Sequence, residues 1–274
     1  MSRRRSARQK RRLDGVAGGA LVALGLVLIL SLAGLAWWLK KTRTQIDVVT
    51  NCPIDGPRAV HLIIIDRSDP ISGQQAQRIK QVIDRYKVAS TFGERFDVFT
   101  FEGDSNSALS PILVVCSPGR PDDANELIEN PELIRQRYEE RFSSVLDRVI
   151  DNLVQESERP TSPIMESIRA AALTSLGPLE SGSVPIRVTL VSDMIQHSER
   201  TSHYREPPDF GSLSGSSAWP LVRPDFKGAS VEILYLLRPT ATRGGEPIQN
   251  RGHQRFWEEY VLAGFGSPKS IEPF

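Results

Sequence analysis

Oxygen-bearing side chains gather at two places where apolar runs stop. "AVHLIII" (Ala59 to Ile65) runs into Asp66, Ser68, Asp69 and Pro70, and "IRVTLVSDM" carries Asp193 directly behind its apolar stretch. Between them, "PTSPIMESI" sets Thr161 and Ser162 on the approach to a helical segment. Ser68 lies two residues beyond Asp66, so one turn can aim both at a single point. Two carboxylates and two or three hydroxyls converging there make an all-oxygen set. That set suits a hard cation, Mg²⁺ first and Mn²⁺ or Ca²⁺ as alternatives. The candidate ligands are Asp66, Ser68, Asp193 and a hydroxyl of Ser162 or Thr161.

Each residue also has a plainer use. Asp66 and Asp69 can make turn hydrogen bonds at a strand end. Ser162 before Pro163 reads as a helix N-cap with proline at the first helical position. Ser72 followed by Gln75 reads as a capping box, which takes Ser72 out of the cluster. Other chemistry finds no footing. His61 reads as a core or surface histidine, His197 and His203 stand six apart, and the cysteines form no CxxC, so no zinc pattern exists. There is no GxSxG, Walker loop or GxGxxG. A phosphatase of the haloacid dehalogenase type would start with Asp-x-Asp after its first strand, and Ser68 stands at the second position. No enzyme is therefore expected. Two rival readings stay open: a metal-dependent hydrolase using the same carboxylates, or a scaffold whose metal site has decayed.

These side chains need elements to position them. "AVHLIII" is a β-branched run without alternation, as in a strand covered on both faces. Ala76, Ile79, Val82, Ile83 and Tyr86 fall at helical spacing. "RFDVFTF" and "SPILVVC" are strands joined by a hairpin-like loop, and residues 131–154 form an amphipathic helix with Ile134, Tyr138, Phe142, Val145, Val149 and Leu153 on one face. A helix from about Pro163 to Ser175, strands at 186–194 and 230–237, a helix ending at Gly264 and a short edge strand in "SPKSIEPF" complete the body. Alternating strands and helices predict an α/β fold: a mostly parallel central sheet with helices on both faces. Functional crevices in such sheets lie beyond the carboxyl ends of the strands, where Asp66 and Asp193 stand. The segment between Asp193 and Ser230 is long and rich in Pro, Ser and Gly, so it should lie around that edge. Phe210, Leu213, Trp219 and Leu221 would pin it down or offer partner contacts.

In element order and motif, residues 58 to about 270 resemble the von Willebrand factor A (vWA) domain family. Its metal-ion-dependent adhesion site begins Asp-x-Ser-x-Ser. Here that stretch is Asp66-Arg67-Ser68-Asp69-Pro70, with Pro70 in place of the second serine. The family's hydroxyl before a proline matches Ser162, with Thr161 beside it, and its Asp after the fourth strand, often in "TDG", matches Asp193 in "SDM", without the glycine. The resemblance implies a module for protein interaction, in which an acidic residue of the partner completes the coordination of the cation. Such modules serve as assembly or adhesion subunits of envelope complexes.

Charge and hydropathy place the module. Of 34 Lys and Arg and 33 Asp and Glu, residues 1–14 hold seven and one, leaving a mildly acidic body behind a basic tail. From Gly15 to Leu39 no residue is charged, and Trp37 and Trp38 stand near the end of the run. A span needs roughly 20 apolar residues, and indoles favour the interface. The chain therefore divides into a basic cytoplasmic tail (1–14), a transmembrane helix (15–39), a linker (40–57) and the vWA-like domain (58–274). The larger positive count before the span keeps the amino terminus in the cytoplasm and exports the domain to the periplasm or cell exterior, as a single-pass protein of the inner membrane. A tail followed by such a span points away from nucleic acid. A cleaved signal peptide ending at "SLAG" or "GLAW" is the alternative, although the run exceeds the usual signal core. In an exported domain Cys52 and Cys116 can form a disulfide; two buried free thiols are the alternative.

Overall fold

In the computed structural model the described residues are 24–35, 37–38, 44–101, 109–123, 130–153 and 159–274. The chain divides into two compact units, Met1–Gln45 and Ile46–Phe274. In the first, residues 24–35 and 37–38 are helical, with Trp37 and Trp38 exposed. The basic tail, residues 15–23, 36 and 39 of the expected span and residues 40–43 of the expected linker lie outside the described residues. Among the described residues no helix is long and apolar enough to cross a membrane.

The second unit is built on a six-stranded sheet. Its strands in chain order are β1 (Ala59–Asp66), β2 (Glu94–Phe101), β3 (Leu113–Cys116), β4 (Ile186–Ser192) and β5 (Ser230–Tyr235). A small hairpin, β6 (Thr242–Arg243) and β7 (Glu246–Pro247), precedes β8 (Ser267–Pro273). The sheet order is β3-β2-β1-β4-β5-β8; only β2–β3 is antiparallel. The helices are α1 (Gly73–Ala89), α2 (Pro131–Tyr138), α3 (Ser144–Leu153), α4 (Ile164–Leu176), α5 (Phe210–Ser214), α6 (Trp219–Val222) and α7 (Arg251–Ala263). The architecture is an α/β fold with a mixed, mostly parallel sheet flanked by helices, consistent with a Rossmann- or vWA-like core.

β1 explains why its sequence shows no alternation. Val60, Leu62 and Ile64 join one core with Met165 and Ile168 of α4 and Trp257 and Tyr260 of α7. Ile63 and Ile65 face the other core, with Ile79, Val82 and Ile83 of α1 and Phe142, Leu146 and Ile150 around α3. Each such side chain contributes about 1.5–3 kcal/mol on burial, so both faces select apolar residues. The strand's last residue, Asp66, is buried as well.

α1 opens on the expected capping box. The Ser72 hydroxyl accepts from the Gln75 N–H at 3.3 Å, and Gln75 Oε1 accepts from the Ser72 N–H at 3.1 Å. The long helix expected over 131–154 is instead two α-helical pieces joined by a π-helical turn, Glu139–Ser143. The insertion after β4 carries α5 and α6, and Phe210, Leu213 and Trp219 pack on the core while Leu221 stays exposed.

Candidate functional site

β1 and β4 run parallel as neighbours, so their carboxyl ends bring Asp66 beside Ser192 and Asp193. Asp66 is 5% exposed. Its Oδ1 accepts from the Ser68 N–H at 2.8 Å. Its Oδ2 accepts from the hydroxyls of Ser162 at 3.2 Å and Ser192 at 2.8 Å. Asp193, 2% exposed, accepts from the Ile195 N–H at Oδ1, 2.8 Å away. Its Oδ2 faces Arg238 Nε at 3.3 Å. Ser68 is fully buried; its hydroxyl makes no well-formed hydrogen bond but lies near enough to the Asp66 carboxylate to favour its charged form. Asp66 and Ser162 therefore meet directly, Ser68 turns back onto Asp66 through its backbone, and Asp193 lies beside them within reach of the Asp66 charge.

The hydroxyl of Ser162 is available because something else caps the helix behind it. α4 starts at Ile164, and Pro163 in the capping position offers no side-chain bond. The Met165 N–H donates instead to Gln196 Oε1 at 2.9 Å. The capping role expected of Ser162 thus passes to a residue from the insertion. Ser162 and His197 also exchange two backbone hydrogen bonds of 2.8 Å, which fasten the insertion to the loop that carries the hydroxyl. Tyr204, on the same insertion, stands in the field of Asp193 and Asp69; burial first, then those charges, push its phenol up to about 12.

Met194 occupies the position where the resembled family places glycine. Its φ is +61°, the left-handed region, which costs a non-glycine residue on the order of 1–3 kcal/mol. Three contacts hold it there. Its N–H donates to the Ser192 hydroxyl at 2.8 Å, its carbonyl accepts from the Trp257 indole at 2.9 Å, and its side chain is fully buried. The turn that aims Asp193 is strained, and the core supports the strain.

Burial and then the nearby charge of Asp66 push the Asp193 carboxyl up to about 8. Burial also raises Asp66, against the opposing pull of the Ser68 N–H and the serine hydroxyls. An unfolded Asp193 ionises near its ordinary value, so the folded state keeps a proton that the unfolded state has lost. Stability from this group is thus lost as pH rises toward the folded pKa. Burial holds the imidazoles of His61, His203 and His253 below their ordinary range, and these act in the opposite sense, only in acid. Above neutrality the Asp66–Asp193 pair carries this dependence. Urea unfolding between about pH 7 and 8.5 should show wild type losing roughly 1 kcal/mol, and Asp193→Asn should flatten that slope.

Among the described residues no group of three or more His, Cys, Asp or Glu is placed to hold a metal ion. The cluster has two carboxylates, so any hard cation here would depend on hydroxyls for the rest of its shell. The donor chemistry fits one: all candidate ligating atoms are oxygen, the Ser68 hydroxyl makes no well-formed hydrogen bond, and a cation would favour the charged form of two carboxylates that burial and mutual repulsion hold toward their protonated forms. Ser192, Gln196, Gln249 and Arg238 were not signalled by the sequence pattern. Ser192 alone had a local cue, its place next to Asp193 in "LVSD".

No family model matches the chain, and no curated protein matches it. Its structure is similar to that of an aerotolerance-related membrane protein from Bacteroides fragilis NCTC 9343, at 15% identity and a TM-score of 0.34, covering 79% of this chain and 92% of that one. It is similar to the conserved hypothetical protein BatB from Bacteroides thetaiotaomicron at 14% identity and 0.35, with the same 79% and 92% coverage. The pilus adhesin SpaC from Lactobacillus rhamnosus GG aligns at 9% identity and 0.45, over 80% of this chain and 28% of that one. At TM-scores this low, none of the three bears on function.

Proposed function

We propose that this chain is a membrane-anchored, vWA-like interaction module that binds another protein at the carboxyl edge of its sheet, as an assembly or adhesion subunit of a cell-envelope complex. Asp66, Ser68, Ser162 and Asp193 would hold a divalent cation, Mg²⁺ foremost. When bound, that ion supplies a positive charge that an acidic residue of the partner completes. The chain's own residues do the rest. Asp66 and Asp193 contribute charge, Ser68 and Ser162 neutral oxygens, and the insertion from Ile195 to Tyr204 walls the edge and fixes Ser162. The single observation that carries the proposal is the buried meeting of Asp66 and Ser162, 96 residues apart, beside a Ser68 hydroxyl that makes no well-formed hydrogen bond. Polar side chains are rarely buried at a strand end without full pairing unless something else uses them.

The basic tail and the uncharged run behind it support an inner-membrane anchor with the amino terminus in the cytoplasm and the module exported. The test is partner capture on immobilised protein in millimolar Mg²⁺. A partner retained by wild type should elute with chelator and fail to bind Asp66→Ala. Retention that ignores both chelator and Asp66→Ala overturns the proposal.

A further inference from the structure

Asp193 Oδ1 accepts from the Ile195 N–H, which leaves Oδ2 as the oxygen without a backbone donor. Arg238 already occupies the other, Oδ2, through Nε at 3.3 Å. The contact is built in. The Arg238 N–H donates to Gln249 Oε1 at 2.6 Å, and Gln249 Nε2 donates to the carbonyls of Asp193 and Leu236, each at 2.8 Å. One glutamine therefore ties the arginine backbone to the turn that presents the aspartate. The two partners differ in burial: Asp193 is 2% exposed at its side chain and Arg238 19%. Arg238 is therefore the more solvent-accessible partner of the pair.

The Asp66 half of the cluster is different. Its Oδ2 is held by serine hydroxyls, which can rotate and present lone pairs instead of protons. Those groups can turn from donors into ligands in place. A guanidinium cannot, because it has no acceptor and stays charged at any working pH. A divalent cation approaching Asp193 meets a resident positive charge on its carboxylate.

We propose that Arg238 is an internal counter-cation that competes with a divalent cation for Asp193, so that ion binding requires Arg238 to swing off. This inference rests on the cation reading given above. It makes the site self-closing: without the ion, Arg238 neutralises part of the buried charge; with it, Arg238 is released at the edge where the partner docks. A freed guanidinium beside the site offers planar donors to an acidic partner residue.

Mn²⁺ binding to the full chain in detergent, followed by electron paramagnetic resonance, tests it. Arg238→Met keeps the bulk and removes the charge, and Arg238→Gln serves if the methionine variant does not fold. Either should bind Mn²⁺ roughly ten- to hundred-fold more tightly than wild type, the range of one charge-assisted pair. Wild-type affinity in both neutral variants overturns the competition while leaving the cation site standing. No Mn²⁺ binding in wild type or variants overturns the cation reading and this inference with it. A second readout needs no folded variant: the Arg238 Nε–H resonance of wild type should shift as Mg²⁺ saturates the site. A resonance unmoved at saturation overturns the proposal.

Discussion

Replacing Trp257 with alanine is expected to cost about 3–5 kcal/mol, the range for removing a fully buried large aromatic. The indole is completely buried and packs edge-to-face on Phe256 and Tyr260. Its N–H also holds the Met194 carbonyl at 2.9 Å. The loss therefore has two parts, a cavity in the core of α7 and the release of a left-handed residue next to Asp193. Trp257→Phe separates them, because it refills most of the cavity and removes the indole bond, leaving the carbonyl only the Gln196 N–H at 3.1 Å. Urea unfolding should place Trp257→Phe between wild type and Trp257→Ala. If Trp257→Ala costs less than about 1 kcal/mol, the indole does not support the turn as described.

Removing the link between Cys52 and Cys116 is expected to cost about 4 kcal/mol, the entropy of closing a loop across the 64-residue separation. The two stand within disulfide geometry, with Cα atoms 4.8 Å apart. Backbone contacts cooperate: the Cys116 N–H donates to the Thr50 carbonyl at 2.8 Å, and Asn51 Nδ2 donates to the Cys116 carbonyl at 3.0 Å. Together they fasten the segment at 46–54 to β3. Unfolding with and without reductant measures the effect, with Cys52→Ala/Cys116→Ala as control. Wild type should lose stability in reductant and the double variant should not respond. Equal response of the two would mean that the thiols are not joined. A disulfide persists in an oxidising compartment, which agrees with the proposed export of the domain.

The strands were legible because burial on both faces leaves no room for alternation. "AVHLIII" ran apolar for that reason, and α1 announced itself through Ser72 and Gln75. The π-helical turn at Glu139–Ser143 had no local signal, since the apolar spacing reads through it as one helix. Local rules misplaced the cap of α4. Ser162 before Pro163 has the residue types of an N-cap, but Gln196, 31 residues beyond Met165, takes the amide. Such a substitution depends on where the insertion folds, and no window around Ser162 contains it. The same holds for Arg238, which meets Asp193 across 45 residues and lies in a segment with no motif. Met194 was legible only as a missing glycine; that its backbone keeps the glycine-like conformation follows from Trp257 and Ser192. The four residues proposed as ligands could be picked out as candidates because each sits at or within two residues of the end of a regular element. What closes the site could not.

The most direct measurement is calorimetric titration of Mg²⁺ into the full chain at neutral pH, set against Asp66→Asn. The asparagine keeps the oxygen that accepts from Ser68 and removes the charge. Saturable binding in wild type that disappears in Asp66→Asn is the predicted result. No binding to wild type at millimolar Mg²⁺, or equal binding to Asp66→Asn, would contradict the cation site.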